Sequence, residues 1–207
     1  TSQEFQAYGS GQRSYATGLR NPVGFDFNHG RLDVSHHPFC GGVPEDVRMT
    51  TRYDERDFLS SVLGVVHETG HALYELGLPR AWARQPVGHV PGMGLHESQS
   101  LLMEMQAART PEFLGYLAGV AAEHLQLAPS ALTREMLARH ALRVERSFIR
   151  VDADEATYPL HILVRFNLER ALVSGDLAVK DLPLAFRDAM ERIVGKRPET
   201  DREGCLQ

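Results

Sequence analysis

The sequence predicts a mainly helical fold with one small β-sheet near the N-terminus. From residue 57 onward, apolar residues recur at every third or fourth position, which is typical of helices with one buried face. Before residue 54, short stretches instead alternate between apolar and polar residues, which is typical of strands. The 207 residues are 43% hydrophobic and 24% charged, and this composition is that of an ordinary globular protein.

The sheet is predicted within residues 25–53, after a loose lead-in over residues 1–24 that glycines and a proline interrupt. One strand is expected at 31–35 and a second at 46–53, because β-branched and apolar residues recur there at about every second position. The prolines and glycines of residues 38–44 predict a loop between these two strands.

The rest of the chain, 57–207, is predicted to form a helical core, and residues 1–207 are expected to form a single domain. The longest apolar repeat begins near Phe58 and ends at Leu76, just before Gly77, which is a typical helix end. Further helices are expected over about 97–108, 111–126, 133–147, 154–174 and 183–194, the last two closing at Gly175 and Gly195.

Composition and charge exclude several classes of protein. A net charge of −5, from 22 Lys+Arg against 27 Asp+Glu, argues against a nucleic-acid binder that relies on phosphate contacts. The sequence contains no apolar run of about 18 residues, so no membrane-spanning segment and no membrane partner are predicted. Cys40 and Cys205 make no disulfide framework, so free thiols and a reducing, cytoplasmic location are predicted.

The strongest local motif is His67-Glu68-Thr69-Gly70-His71, which lies inside the longest predicted helix. Two histidines four residues apart lie one turn apart on the same helix face, so both imidazoles can reach one metal ion. Glu68 is off that line but close enough to take a proton from a water at the ion and pass it to a leaving amine. A histidine pair on a helix can also be a plain surface feature, but the strongly apolar helix around it favours the metal site. Gly70 costs a helix about 1 kcal/mol relative to alanine, a cost that a crowded metal site explains.

A catalytic site of this kind needs a third protein ligand. The downstream candidates are His89, His96, Glu97 and Glu104. Glu97 is the predicted ligand, because it stands at the start of a second helix after a loop rich in proline and glycine. The alternative for Glu97 is a carboxylate that only stabilises the N-terminus of its helix.

Five segments, taken in order, resemble the Taq-type metallocarboxypeptidase family, the thermostable carboxypeptidases of prokaryotes. They are His37-Pro38-Phe39, Asp46-Val47-Arg48-Met49-Thr50, His67-Glu68-Thr69-Gly70-His71, His96-Glu97-Ser98-Gln99-Ser100 and Ile149-Arg150-Val151-Asp152-Ala153-Asp154. The ordered set is more specific than any one motif, and it spans nearly the whole chain from about residue 24. The chain resembles a short form that lacks the family's usual N-terminal helical region and ends inside the family's last motif.

The resemblance implies a metal-dependent carboxypeptidase that removes single residues from peptides with a free C-terminal carboxylate. It implies His67, His71 and Glu97 as metal ligands and Glu68 as the general base. It also implies Zn²⁺ as the ion, with Co²⁺ as a possible substitute, and a homodimer.

Arg48 and Arg150 lie in the two motifs that the resemblance associates with substrate recognition. A guanidinium matches both oxygens of a carboxylate, so these two arginines are the candidates for binding the C-terminus of the substrate. The alternative for either is a surface ion pair worth about 0–1 kcal/mol. Asp46 is predicted to support the site through a hydrogen bond to a ligand imidazole or to Arg48.

Five further residues are candidates for contacts at the site. His37 is predicted to contact the substrate, and a structural histidine is the competing interpretation. Tyr158 and His161, three residues apart on one predicted helix, are predicted to face the substrate. Ser98 and Gln99 are predicted to support the metal ligands.

Two other functions remain open from the sequence. One is a zinc endopeptidase or dipeptidase with the same ligands, which would differ only in whether arginines close one end of the cleft. The other is a truncated metal-binding protein with little activity.

Overall fold

The computed structural model describes residues 31–35, 38–43, 46–52, 54 and 56–206. Its strands are β1 (Arg31–Val34), β2 (Phe39–Val43) and β3 (Asp46–Thr51), and its helices are α1 (Phe58–Leu76), α2 (Met93–Leu101), α3 (Pro111–His124), α4 (Arg134–Ala141), α5 (Tyr158–Ser174) and α6 (Leu182–Ile193). The predicted mainly helical fold with one small N-terminal sheet is confirmed. The described residues fall into two compact units, one ending at Ala141 and the other beginning at Leu142. The predicted lead-in over 1–24 lies outside the described residues.

The three strands form one sheet in the order β1-β3-β2, in which β1 is parallel and β2 antiparallel to β3. Along β3 the side chains alternate, since Val47 and Met49 are buried while Arg48 between them is exposed. The buried side chains pack against Ala72 and Leu76 of α1. The sheet therefore covers the C-terminal half of α1, where the two motif histidines lie.

The loop predicted over residues 38–44 is wrong for the part that forms β2. Gly41 pairs with Arg48 and Gly42 with Val47 across the antiparallel ladder. Glycine has a low intrinsic preference for strands, but pairing with β3 supplies the backbone hydrogen bonds that the local sequence does not signal.

Helix α1 begins and packs as its sequence predicts. Asp57 caps it, because its carboxylate accepts a hydrogen bond from the backbone N–H of Ser60 at 3.1 Å. The buried apolar face of the N-terminal half packs against α3 and α4 in one core. Its members are Leu59, Val62, Leu63, Val66, Ala108, Leu114, Leu117, Ala118, Leu137 and Ala141.

The second motif helix differs from the predicted 97–108. Helix α2 begins earlier, at Met93, and after Leu101 the chain widens into one π-helical segment, Leu102–Gln106. A 3₁₀ turn, Ala107–Arg109, then leads into α3. The periodicity of apolar residues does not distinguish an α-turn from a π-turn over so few residues.

The helix predicted over 133–147 is wrong beyond Ala141, where α4 ends. The backbone N–H of Glu145 donates to the carboxylate of Asp154 at 2.8 Å rather than to a helical carbonyl. Asp154 also precedes α5, which begins at Tyr158 rather than at residue 154. The predicted ends at Gly175 and Gly195 are confirmed, since both glycines adopt the left-handed conformation with φ of 82° and 76°.

In the second unit, α5 and α6 pack around Val164, Phe186, Ala189, Met190 and Val194. None of the described helices is long and apolar enough to cross a membrane.

Candidate metal centre

His67 and His71 lie one turn apart on α1, and both turn their Nε2 atoms toward Glu97 of α2. The Glu97 Oε2 atom lies 3.6 Å from Nε2 of His67 and 3.2 Å from Nε2 of His71. Two ligand atoms that are each about 2.1 Å from one tetrahedral ion stand about 3.4 Å apart, so these three groups fit a single divalent ion. Across the described residues, this is the group of three whose ligand atoms all lie within 4.8 Å of one another.

Gly70 allows the two helices to come this close. A Cβ at residue 70 would stand 2.6 Å from the carbonyl oxygen of Gln99 and 2.6 Å from Cα of Ser100. Both of those atoms belong to the backbone of α2, so no side-chain movement can make room. The glycine that lowers helix propensity is therefore the residue that brings Glu97 to the histidine pair.

Ser100, a fully buried residue of the same helix, forms hydrogen bonds with Glu97. The Ser100 hydroxyl lies 2.7 Å from the carbonyl oxygen of Glu97 and 3.1 Å from its Oε2 atom. Ser100 is not among the residues that the sequence predicts as support for the ligands, which are Ser98 and Gln99. In the structure the Ser98 hydroxyl donates to the carbonyl of Leu95, and the amide of Gln99 donates to Ser98. The support predicted for the ligands from Ser98 and Gln99 stays a prediction.

The other ring nitrogen of His67 also has a carboxylate partner. Nδ1 of His67 lies 2.8 Å from Oε2 of Glu104, which stands in the π-helical segment. Glu104 in turn lies 3.5 Å from the guanidinium of Arg109, which donates a hydrogen bond to the carbonyl of Ala141. Glu104 was a candidate for the third ligand, and the structure places it behind His67 instead.

At His71 the ring nitrogen reaches a carboxylate through one additional residue. Nδ1 of His71 lies 2.5 Å from Nδ1 of His96, and Nε2 of His96 lies 2.8 Å from Oε1 of Glu75. His96 was also a candidate ligand, and here it contacts the ring nitrogen of His71 that faces away from Glu97. His89, the remaining candidate, is exposed in the loop before α2.

Glu68 is buried, at 5% exposure, and its Oε2 atom has no hydrogen-bond partner among the described residues. Burial raises the pKa of Glu68 above its ordinary value, although the imidazoles of His67 and His71 act in the opposite direction.

For His67 burial disfavours the charged form, but the hydrogen bond to Glu104 and the charges of nearby carboxylates outweigh it and raise the pKa of His67. Such a concentration of carboxylates beside two imidazoles suits a cation.

Comparison with known proteins decides the family. The sequence profile of the Carboxypeptidase Taq (M32) metallopeptidases matches residues 3–207. The chain belongs to this family. Carboxypeptidase 1 of Bacillus subtilis is 39% identical over 186 residues, which cover 89% of this chain and 37% of that protein. Thermostable carboxypeptidase 1 of Pyrococcus furiosus is 44% identical over 179 residues, which cover 86% of this chain and 36% of that protein.

Solved structures of the M32 family agree with the fold. Metallocarboxypeptidase 1 of Trypanosoma cruzi superposes with a TM-score of 0.86 at 42% identity, over 94% of this chain and 41% of that one. The M32 carboxypeptidase of Deinococcus radiodurans R1 also has a TM-score of 0.86, at 40% identity, over 96% of this chain and 40% of that one. The chain thus spans less than half the length of the relatives that it matches.

In this M32 chain the predicted substrate residue Arg48 contacts Asp46, the residue predicted to support the site, on β3. Arg48 donates from Nε and Nη2 to Oδ2 of Asp46, at 3.1 and 2.7 Å. The hydrogen bond to Arg48, one of the two roles predicted for Asp46, is therefore present in the structure. Both side chains are exposed, at 61% for Arg48 and 42% for Asp46, so the pair itself adds little stability.

Arg150, Tyr158 and His161 lie together in the second unit. The Arg150 guanidinium donates to the phenol oxygen of Tyr158 at 3.0 Å and lies 5.8 Å from the centre of its ring. His161 is fully buried, and neither of its ring nitrogens has a hydrogen-bond partner among the described residues. Burial and the positive charges of Arg165 and Arg150 lower the pKa of His161, which favours a neutral imidazole.

Arg165 is a neighbour that sequence reasoning missed. It donates from Nη1 to the carbonyl of His161, four residues earlier on α5, at 3.2 Å. Burial and the charge of Arg150 lower the pKa of Arg165. The spacing of four residues from His161 was the signal that could have indicated it. His37, the remaining predicted substrate residue, lies outside the described residues.

Both cysteines are free thiols, as predicted, and neither belongs to the metal group. Burial, with smaller contributions from Glu68 and Glu75, raises the pKa of the Cys40 thiol to about 12. Cys40 is therefore protonated at neutral pH and is a poor metal ligand or nucleophile.

Proposed function

We propose that this chain carries the catalytic site of a metal-dependent carboxypeptidase, with His67, His71 and Glu97 as the metal ligands. The observation that carries the proposal is the convergence of two imidazole Nε2 atoms on the Glu97 carboxylate, beside a buried carboxylate at Glu68. Membership of the M32 family supports it. The activity is proposed for this chain, and not taken from its relatives, because the chain spans less than half of their length.

Zn²⁺ is the proposed ion, with Co²⁺ as a possible substitute, and when bound it polarises a peptide carbonyl and lowers the pKa of water. Glu68 is the proposed general base, which takes a proton from the attacking water and returns it to the nitrogen of the leaving residue. Its raised pKa suits both steps, because a carboxylate that is easier to protonate holds the proton better between them.

The proposed substrates are peptides with a free C-terminal carboxylate. Arg150 is the proposed partner of that carboxylate, and its hydrogen bond to Tyr158 supports the role because it fixes the direction of the guanidinium fork. Arg48, His161 and His37 remain further predicted substrate contacts. A single catalytic domain over residues 1–207, a homodimer and a cytoplasmic location also remain predictions, and the two free thiols support a reducing compartment.

The experiment is a timed mass-spectrometry digest of one peptide, prepared with a free and with an amidated C-terminus, using Zn²⁺-loaded protein. Stepwise loss of single residues from the free form, abolished by a chelator and restored by Zn²⁺, is the expected result. Internal cleavage of both forms would identify an endopeptidase. Bound Zn²⁺ without release of any residue would identify a metal-binding protein with little activity.

A further inference from the structure

The Nδ1 atoms of the two motif histidines of α1 have different hydrogen-bond partners. His67 contacts the Glu104 carboxylate directly, at 2.8 Å. His71 contacts a second imidazole, His96, and only His96 reaches a carboxylate, that of Glu75. A carboxylate behind a metal-binding histidine is a common support. An imidazole between the metal-binding histidine and the carboxylate differs from a direct carboxylate contact, because a ring nitrogen can either donate or accept a hydrogen bond.

Glu75 is the last of the three side chains His71, His96 and Glu75, and it fixes the direction of the hydrogen bonds between them. An ionised carboxylate has no proton to donate, so Nε2 of His96 donates to Oε1 of Glu75. A neutral imidazole carries one N–H, and Nδ1 of His96 is therefore left with a lone pair. The 2.5 Å contact between the two Nδ1 atoms then requires that His71 donates.

This direction decides which nitrogen of His71 can bind a metal. With its proton on Nδ1, neutral His71 has its lone pair on Nε2, the atom that lies 3.2 Å from Glu97. The opposite tautomer would place a proton on Nε2 and block coordination there. Packing supports the same geometry, since His96 is 9% exposed and the Tyr74 ring meets it edge-on at 5.4 Å.

We propose that Glu75 and His96 are positioning residues, and that the Glu75–His96–His71 relay holds His71 in the tautomer whose Nε2 lone pair faces Glu97. The inference rests on the proposed metal site. It gives His96, the histidine of the His96-Glu97-Ser98-Gln99-Ser100 motif, a function of its own, distinct from that of the ligand that follows it. It also explains why Glu75, one turn after His71 on α1, faces α2.

The test compares two changes at different distances from the metal centre. His96→Leu removes the acceptor for His71 directly, and Glu75→Leu removes only the acceptor for His96. His96→Gln is the conservative variant, because its amide oxygen can still accept from His71. His89→Leu is the matched control, since His89 is an exposed histidine in the loop before α2.

Two measurements are made on each protein. The first is the tautomer of His71 in the metal-free protein, from long-range ¹H–¹⁵N correlations of the imidazole ring. The second is the dissociation constant for Zn²⁺, from competition with a chromophoric chelator.

The wild type should carry the His71 proton on Nδ1, and both leucine variants should show a mixture of tautomers. Their Zn²⁺ affinity should fall by about 10- to 100-fold, with partial recovery in His96→Gln and no change in His89→Leu. A wild-type His71 protonated on Nε2 would overturn the relay. Wild-type affinity together with an unchanged tautomer in Glu75→Leu and His96→Leu would also overturn it. If the wild type binds no Zn²⁺, the proposed function fails, while the tautomer of the metal-free protein still decides the relay.

Discussion

Gly70 of α1 and Gln99 of α2 meet backbone to backbone, with 2.6 Å between the point where a Cβ of residue 70 would stand and the Gln99 carbonyl oxygen. Gly70 directly precedes His71, and Gln99 lies two residues after Glu97. The close approach of these two residues therefore fixes the distance between the histidine pair and the third proposed ligand.

Gly70→Ala should destabilise the protein, because the added methyl group meets backbone atoms that cannot rotate away. The expected loss in free energy of unfolding is about 1–3 kcal/mol, together with weaker Zn²⁺ binding. Gly64→Ala on the same helix is the control, since nothing lies within 4 Å of its Cβ position. That change should stabilise the helix by about 0.5–1 kcal/mol. Urea unfolding in the presence of chelator measures the change in free energy of unfolding for both variants. Equal changes in stability for Gly70→Ala and Gly64→Ala would contradict the steric argument.

Glu97→Gln should weaken metal retention, because a neutral amide is a poorer ligand than a carboxylate. The metal content after dialysis, measured by atomic emission, is the readout. Glu123→Gln, at an exposed position of α3, is the control and should keep the wild-type content. Full metal content with full activity in Glu97→Gln would remove Glu97 from the ligand set.

Glu68→Gln should behave differently, since it removes the proposed base but no proposed ligand. The variant should keep its metal and lose turnover by orders of magnitude. Parallel assays of bound Zn²⁺ and of peptide hydrolysis separate the two properties. If Glu68→Gln loses metal as readily as His67→Ala, the division of roles between these neighbours is wrong.

The features that sequence predicted well are local ones. The bounds of α1 follow from its apolar repeat and the glycine after Leu76. The pairing of His67 with His71 follows from helical spacing alone. The expectation that Gly70 serves a crowded site also has a physical reason visible in the sequence, because a helix interior otherwise disfavours glycine.

The features that sequence missed depend on how helices pack. Glu104 and His96 were both plausible ligands by type and distance along the chain, and only the approach of α2 to α1 decides which ring nitrogen each one meets. Ser100 supports Glu97 because it is buried between helices, which its residue type does not signal. The strand at Phe39–Val43 likewise depends on pairing with β3 rather than on its own residues.

The stability of the second unit should depend on pH through Asp154. Burial by itself raises the pKa of this carboxyl, but hydrogen bonds from the backbone N–H groups of Glu145, Thr157 and Ala156 outweigh it and hold the pKa below its ordinary value. A lowered pKa in the folded state stabilises the fold above the ordinary value of about 3.9. That contribution is lost as the pH falls through the lower, folded-state pKa.

Asp154→Asn removes this contribution, because the amide group that replaces one oxygen cannot accept the N–H of Glu145. The difference in free energy of unfolding between wild type and Asp154→Asn should be largest near neutral pH and should close on acidification. Asp176→Asn, at an exposed aspartate whose partner is the Ser174 hydroxyl, should show a much smaller difference. A gap for Asp154→Asn that stays constant down to acid pH would contradict the assignment.

Arg150→Ala tests the exopeptidase direction. If Arg150 binds the substrate carboxylate, the pair is charge-assisted and worth about 1.5–3 kcal/mol, or roughly ten- to a hundredfold in kcat/KM on peptides with a free C-terminus. Residual cleavage of amidated peptides should change much less, because they offer no anion. Arg150→Lys should recover only part of the loss, since an ammonium cannot reproduce the guanidinium fork. Arg192→Ala, at an exposed arginine of α6, is the control and should leave both substrates unaffected. Equal losses on free and amidated forms of one peptide, with a lower Tm, would instead show that Arg150 acts through structure, including its hydrogen bond to Tyr158.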